Sequence, residues 1–289
     1  MEKDLRGVLR NASGVYHWGR RGRVSLKKVI YYRDELNDEF SEAQITPRVI
    51  DKDYRYSHGK LWDFASLMAQ NVLSMPIKVL YQKIKFRLKY VGREKLKENR
   101  DKGYFIYGNH TQPFADTFIP SVANYPKRNF LIVNPENVSM PGMHTMVEML
   151  GAIPIPCDTG GMKNFMGAVE DKIRKGYSVT IYPEAHIWPY YTGIRPFQAV
   201  SFRYPVTLNC PVYALTNTYH RRGKSEKVNI VTYIDGPFYP NQNLNPKERR
   251  RELRDRVYEC MKMRSMESDY EVISYRRAEE SSSDTEDMK

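Results

Sequence analysis

The chain has 289 residues, a net charge of +12, 41% hydrophobic residues and three cysteines. That apolar content excludes an intrinsically disordered chain, and the length suits one large α/β domain with extensions. No run approaches the roughly 18 consecutive apolar residues of a membrane-spanning helix. The first residues, MEKDLRGVLRNASG, lack the apolar run of a secretory signal. Cys157, Cys210 and Cys260 cannot build a disulfide framework and offer no CxxC pair, so a reducing, cytoplasmic setting is expected.

Residues 1–58 carry many basic side chains and no sustained period, and read as an irregular N-terminal extension. Residues 61–82 place Trp62, Phe64, Leu67, Val72, Leu73, Val79 and Leu80 on a broad apolar stripe interrupted by Asp63, Gln70 and Lys78, which predicts an amphipathic helical segment. Pro76 should kink or split it. Residues 85–90 alternate basic and apolar side chains and read as a strand closed by Gly92.

Short apolar runs at 104–107, 130–133, 152–155, 178–182, 212–215 and 228–234 predict strands. Between them, Met162, Phe165, Met166, Val169 and Ile173 mark a helix that ends at Gly176, and Asn245-Pro246 opens another. The alternation predicts an α/β fold, a mixed, largely parallel sheet with helices on both faces, preceded by the amphipathic segment. The folded domain is expected at 59–265. Residues 266–289 would form a tail, acidic at its end.

Two loops leave strand ends with side chains suited to chemistry, on the rim where such sheets collect reactive groups. The first, 108–116, carries Asn109, His110, Thr111 and Asp116. A carboxylate that fixes a histidine's tautomer and stabilises its imidazolium makes a general base for a hydroxyl group. The second, 182–197, carries Tyr182, Pro183, Glu184, His186, Trp188, Tyr190, Tyr191 and Arg195. Its three aromatic side chains offer an apolar wall.

In order, these blocks resemble those of the PlsC-like lysophospholipid/glycerol acyltransferase family. The family has an Asn-His-x4-Asp block, a Gly-x-x-Phe-x-x-Arg block, a Phe-Pro-Glu-Gly-Thr-Arg block and a Val-Pro-Val strand. Here Asn109-His110 to Asp116, the run Gly151 to Asp158, Tyr182-Pro183-Glu184 and Cys210-Pro211-Val212 follow one another in that sequence, and the resemblance covers about residues 60–265. It implies acyl transfer from a thioester, acyl-CoA or acyl-carrier protein as co-substrate, to a hydroxyl of a glycerolipid-like acceptor in phospholipid biosynthesis. It implies no bound cofactor, no metal, no nucleic acid, and peripheral association with the inner face of the membrane. His110 would be the base and Asp116 its orienting acid. Asn109, Thr111, Tyr182, Pro183, Glu184 and Arg195 would serve the acceptor, and loop N–H groups the oxyanion.

The chain departs from the family pattern in three places. Five residues separate His110 from Asp116, Pro156-Cys157-Asp158 stands where the second block has its arginine, and Glu184-Ala185-His186 lacks the Gly-Thr-Arg. In the family those arginines are thought to grip an acceptor phosphate. An acceptor without a terminal phosphate is therefore expected here, unless Arg195 folds back to supply the grip. Two other readings fit parts of the sequence. His110, Asp116, Glu184 and His186 could ligate a metal in a hydrolase. The basic charge and the aromatic run 102–107 could belong to an RNA-binding protein.

Overall fold

The computed structural model describes residues 28–40 and 46–278. The basic stretch 1–27 and the acidic end 279–289 lie outside the described residues. The chain forms β1 (Lys28–Tyr32), α1 (Lys60–Met68), α2 (Met75–Tyr81), β2 (Lys89–Val91), β3 (Tyr104–Gly108), α3 (Ile119–Asn124), β4 (Asn129–Val133), α4 (His144–Met149), β5 (Ala152–Pro154), α5 (Met162–Arg174), β6 (Ser178–Ile181), α6 (Arg203–Leu208), β7 (Val212–Arg222), β8 (Ser225–Phe238), α7 (Pro246–Ser265) and β9 (Ile273–Arg277).

Seven strands make one sheet in the order β2-β8-β7-β3-β6-β4-β5. The run from β7 to β5 is parallel throughout, whereas β7 and β8 form an antiparallel hairpin and β2 runs parallel to β8. This is the expected mixed, largely parallel sheet. β3 lies at its centre with every residue buried, as a strand covered on both faces must. Phe105 and Tyr107 turn to one face, into a core with Phe165 and Val169 of α5 and Leu253 and Val257 of α7. Tyr104 and Ile106 turn to the other, into a core with Phe86, Leu96, Ile119 and Ala123. Asn245 caps α7 as expected, its side chain accepting from the N–H groups of Lys247 and Glu248.

The segment before the sheet divides at Ser74, and Pro76 is the second residue of α2, where its missing N–H costs nothing. Its amphipathicity is inverted. Ser66, Gln70, Lys78 and Gln82 are buried, whereas Leu61, Phe64, Val72, Leu73, Ile77, Leu80 and Ile84 are exposed. Ser66 and Gln70 reach the Met149 carbonyl, and Arg128 binds both side chains. The strand expected at 85–90 is shorter. Gln82–Phe86 continues the helix as a wide π turn that Arg87 ends with φ 44°, and only Lys89–Val91 is strand. Phe86 is held in the core, so the apparent alternation marks a helix end anchored by one aromatic side chain.

Two further corrections concern the ends of the domain. Residues 28–32, read as irregular extension, and 273–277, read as tail, pair in parallel register as β1 and β9. The expected boundaries at 59 and 265 therefore leave both strands of this clasp outside the domain. β-branched and aromatic residues in Val29-Ile30-Tyr31-Tyr32 carry a strand signal, but the partner lies about 240 residues away, where local patterns have no reach.

Candidate active site

β3 and β6 are parallel neighbours, so the loops that follow them emerge at the same edge of the sheet. Gly108 ends β3. A Cβ there would lie 2.6 Å from Cε1 of Tyr182, so only glycine leaves room for the ring. Tyr182 stacks on the His110 imidazole at 4.6 Å between centroids and 14° between planes, and its hydroxyl donates to the Asp116 carbonyl at 2.5 Å. Burial pushes that phenol well above its ordinary pKa and keeps it a neutral donor.

His110 and Asp116 meet despite the extra residue between them. Nδ1 of His110 lies 2.9 Å from Oδ2 of Asp116, and the same oxygen accepts the N–H groups of Thr111 and Gln112, each at 2.9 Å. A fully buried carboxylate is costly, and burial raises the Asp116 pKa. The bonds from His110, Gln112 and Thr111 act in the opposite direction and hold the anion. A carboxylate can only accept, so Nδ1 carries the proton and Nε2 keeps its lone pair. The His110 side chain is 19% exposed against 1% for Asp116, which places the basic nitrogen at the rim and its partner beneath it.

The other expected site residues divide differently. Asn109 is buried, and both ends of its amide are spent on the backbone of Asn217 in β7. Thr111 is buried and its hydroxyl accepts from Tyr219. Glu184 is buried, and its two oxygens accept the N–H groups of His110 and Arg195, both at 3.0 Å. The hydrogen bonds of these three side chains fasten the loops to each other and to β7. Pro183 is half-buried between Tyr182 and Glu184.

Arg195 is fully buried. Its guanidinium donates to the carbonyls of Glu35, Glu184 and His186 and lies 5.0 Å from the Trp188 ring centroid. It does not fold back over His110, so the phosphate grip considered for it is absent. Trp188 is likewise buried, donating to the Asp38 carbonyl and stacking on Tyr275 of β9 at 4.9 Å. The wall expected from Trp188, Tyr190 and Tyr191 is thus packed against the β1–β9 clasp at Trp188 and Tyr191, and against Tyr219 at Tyr190.

Neither alternative reading finds its geometry. His186 pairs with Glu39 at 2.8 Å and Glu184 is engaged by backbone, so the four expected ligands do not converge. Among the described residues no group of three His, Cys, Asp or Glu side chains could hold a metal ion. Tyr104, Phe105 and Tyr107 are buried in the two cores and cannot stack on bases.

The sequence reading missed Asn217 and Tyr219. The signal was present as Thr216-Asn217-Thr218, a polar triplet between the apolar residues Val212 to Leu215 and Tyr219 in the buried part of β7.

A mixed α/β sheet with a carboxylate-oriented histidine at the carboxyl end of its central strand has the geometry that general-base chemistry requires. In sequence, the model of the family described as Acyltransferase matches residues 87–218, a span that contains His110, Asp116 and Glu184. No curated protein matches the chain significantly in sequence. Among solved structures, the fold is similar to the crystal structure of the 1-acyl-sn-glycerophosphate (LPA) acyltransferase PlsC from Thermotoga maritima. That similarity has a TM-score of 0.48 and 14% identity, and it covers 73% of this chain and 82% of that one.

Proposed function

We propose that the protein transfers a fatty acyl group from a thioester, acyl-CoA or acyl-carrier protein, to a hydroxyl of a glycerolipid-like acceptor at a membrane surface. The observation that carries this is the His110–Asp116 pair, with Nε2 unencumbered at the rim, inside an acyltransferase domain. Nε2 takes the acceptor's hydroxyl proton as its oxygen attacks the thioester carbonyl, and Asp116 stabilises the imidazolium. The proton then passes to the departing thiolate. The N–H groups of His110, Thr111 and Gln112 are already bound to carboxylates, so the oxyanion is met by other donors.

The inverted amphipathicity of residues 60–86 supports a membrane surface as the meeting place. An exposed row of Leu, Ile, Val and Phe with polar side chains turned inward suits an apolar environment, and Lys83, Lys85, Arg87 and Lys89 add exposed cations for anionic headgroups. No helix of the described residues is long and apolar enough to cross a membrane, so this contact lies in the interface, at the cytoplasmic face in our reading. Because Arg195 is held internally, the reading favours an acceptor without a terminal phosphate, such as a monoacylglycerol-like or glycolipid hydroxyl. Purified protein given radiolabelled palmitoyl-CoA with paired neutral and lysophosphatidate acceptors in mixed vesicles tests this. The expected product is a neutral ester. Exclusive labelling of the phosphorylated acceptor refutes the acceptor class, and absence of any labelled ester with either thioester donor refutes the reaction.

A further inference from the structure

We propose that Asn217 is a positioning residue for the His110–Asp116 pair, completing it from the far side of the carboxylate; the inference rests on the general-base reading above. Asp116 uses Oδ2 for His110, Thr111 and Gln112, and among the described residues the donor to its Oδ1 is Nδ2 of Asn217, at 3.3 Å. Asn217 is fully buried in β7, the strand beside β3.

Its amide cannot turn freely. The hydroxyl of Thr232, directly across the β7–β8 hairpin, donates to Oδ1 of Asn217 at 2.7 Å, which leaves the NH2 group for Asp116. The reverse orientation would set a carbonyl oxygen against a carboxylate. The backbone of the same residue grips the start of the loop. Its N–H donates to Asn109 Oδ1 at 2.8 Å and its carbonyl accepts from Asn109 Nδ2 at 3.1 Å. One residue of β7 thus fixes where the loop leaves β3 and how the carboxylate at its end is turned. The neighbouring titratable groups are His110, the phenols of Tyr182 and Tyr219, which burial keeps neutral, and Glu184 behind the His110 N–H. With Asn217 removed, the carboxylate can rotate about its Cβ–Cγ bond and loosen the bond that holds the imidazole tautomer.

The test compares Asn217→Leu, Thr232→Val and wild type by two readouts. The hydrogen-bonded Nδ1 proton of His110 is followed by proton NMR, which needs no acceptor and so distinguishes failure of this proposal from failure of the proposed reaction. Wild type should show it far downfield, Thr232→Val should shift it upfield, and Asn217→Leu should shift it further or broaden it away. In acyl transfer, Asn217→Leu should lower kcat about 10–100-fold with KM changed by less than about twofold, and should add almost nothing in an Asp116→Ala background. Should Asn217→Leu fail to fold, Thr232→Val, which keeps side-chain shape, still decides by the proton shift. An unmoved Nδ1 proton in the folded variants, or an equal loss of kcat in the Asp116→Ala background, overturns the proposal.

Discussion

The carboxylate of Glu184, on the loop after β6, accepts the backbone N–H of His110, on the loop after β3, at 3.0 Å. The same carboxylate accepts the N–H of Arg195, whose guanidinium reaches back to the Glu35 carbonyl beside β1. His110 is therefore tied through two side chains to the clasp formed by the ends of the described chain. Glu184 and Arg195, which the sequence suggested as acceptor groups, do their work behind the histidine.

Replacing Arg195 should consequently cost stability before it costs specificity. Arg195→Met leaves three carbonyls without their donor and Glu184 without its buried counter-charge, a loss of about 3–5 kcal/mol. Urea unfolding measures that loss. The ratio of kcat/KM for neutral and phosphorylated acceptors should stay the same in whatever fraction remains folded, and a selective collapse for the phosphorylated acceptor would place Arg195 at the acceptor after all.

The departure from the family's Pro-Glu-Gly has a local consequence. Ala185 holds φ 64°, a left-handed conformation that costs a non-glycine residue roughly 1 kcal/mol. Ala185→Gly should raise unfolding stability by up to about 0.5 kcal/mol, the strain relieved less the added chain entropy. Chemical denaturation compares the two proteins directly, and lower stability in the glycine variant would show that the neighbouring loop tolerates Ala185 at no cost.

Much of this arrangement was legible in the sequence. The strands around β3, the Asn245 cap of α7 and the pairing of His110 with Asp116 follow from local patterns, because each depends on residues a few positions apart. The clasp of β1 with β9 and the role of Asn217 were not legible, since each contact joins residues more than 100 positions apart and no short pattern encodes such a distance. The segment 61–82 was legible as amphipathic, but which face turns inward is settled by partners such as Arg128 and the Met149 carbonyl.

That inverted segment should bind vesicles. Leu73 and Ile77 are 68% and 67% exposed, and burying each in an acyl layer contributes about 1.5–3 kcal/mol. Leu73→Glu with Ile77→Glu should weaken co-sedimentation with anionic vesicles by more than about tenfold while leaving the melting temperature almost unchanged. Raised salt should weaken wild-type binding only in part, since the apolar contribution is not screened. Equal binding by both proteins would move the membrane contact elsewhere.

Acid sensitivity should centre on Asp235. Burial works to raise its pKa, but the hydrogen bonds from Arg264 and Lys95, at 2.8 Å each, prevail and hold it below its ordinary value of 3.8. A carboxyl depressed in the folded state contributes stability that is present above its unfolded pKa and lost as pH falls through the lower folded value. Asp235→Asn should therefore cost about 1–3 kcal/mol near neutral pH, with the gap to wild type closing below about pH 4. Thermal melts across that range measure it, and a gap that does not change with pH would remove the ion cluster as its cause.

Whether His110 is the base is decided by a single-turnover assay of His110→Ala. With radiolabelled palmitoyl-CoA and the best acceptor, wild type should form ester and the folded variant should be slower by about 10²–10⁴-fold, the usual worth of a general base. Asp116→Asn should fall in the same range, because a neutral amide no longer stabilises the imidazolium that forms on His110. Near-wild-type ester formation by a His110→Ala protein with an unchanged circular dichroism spectrum would contradict the mechanism.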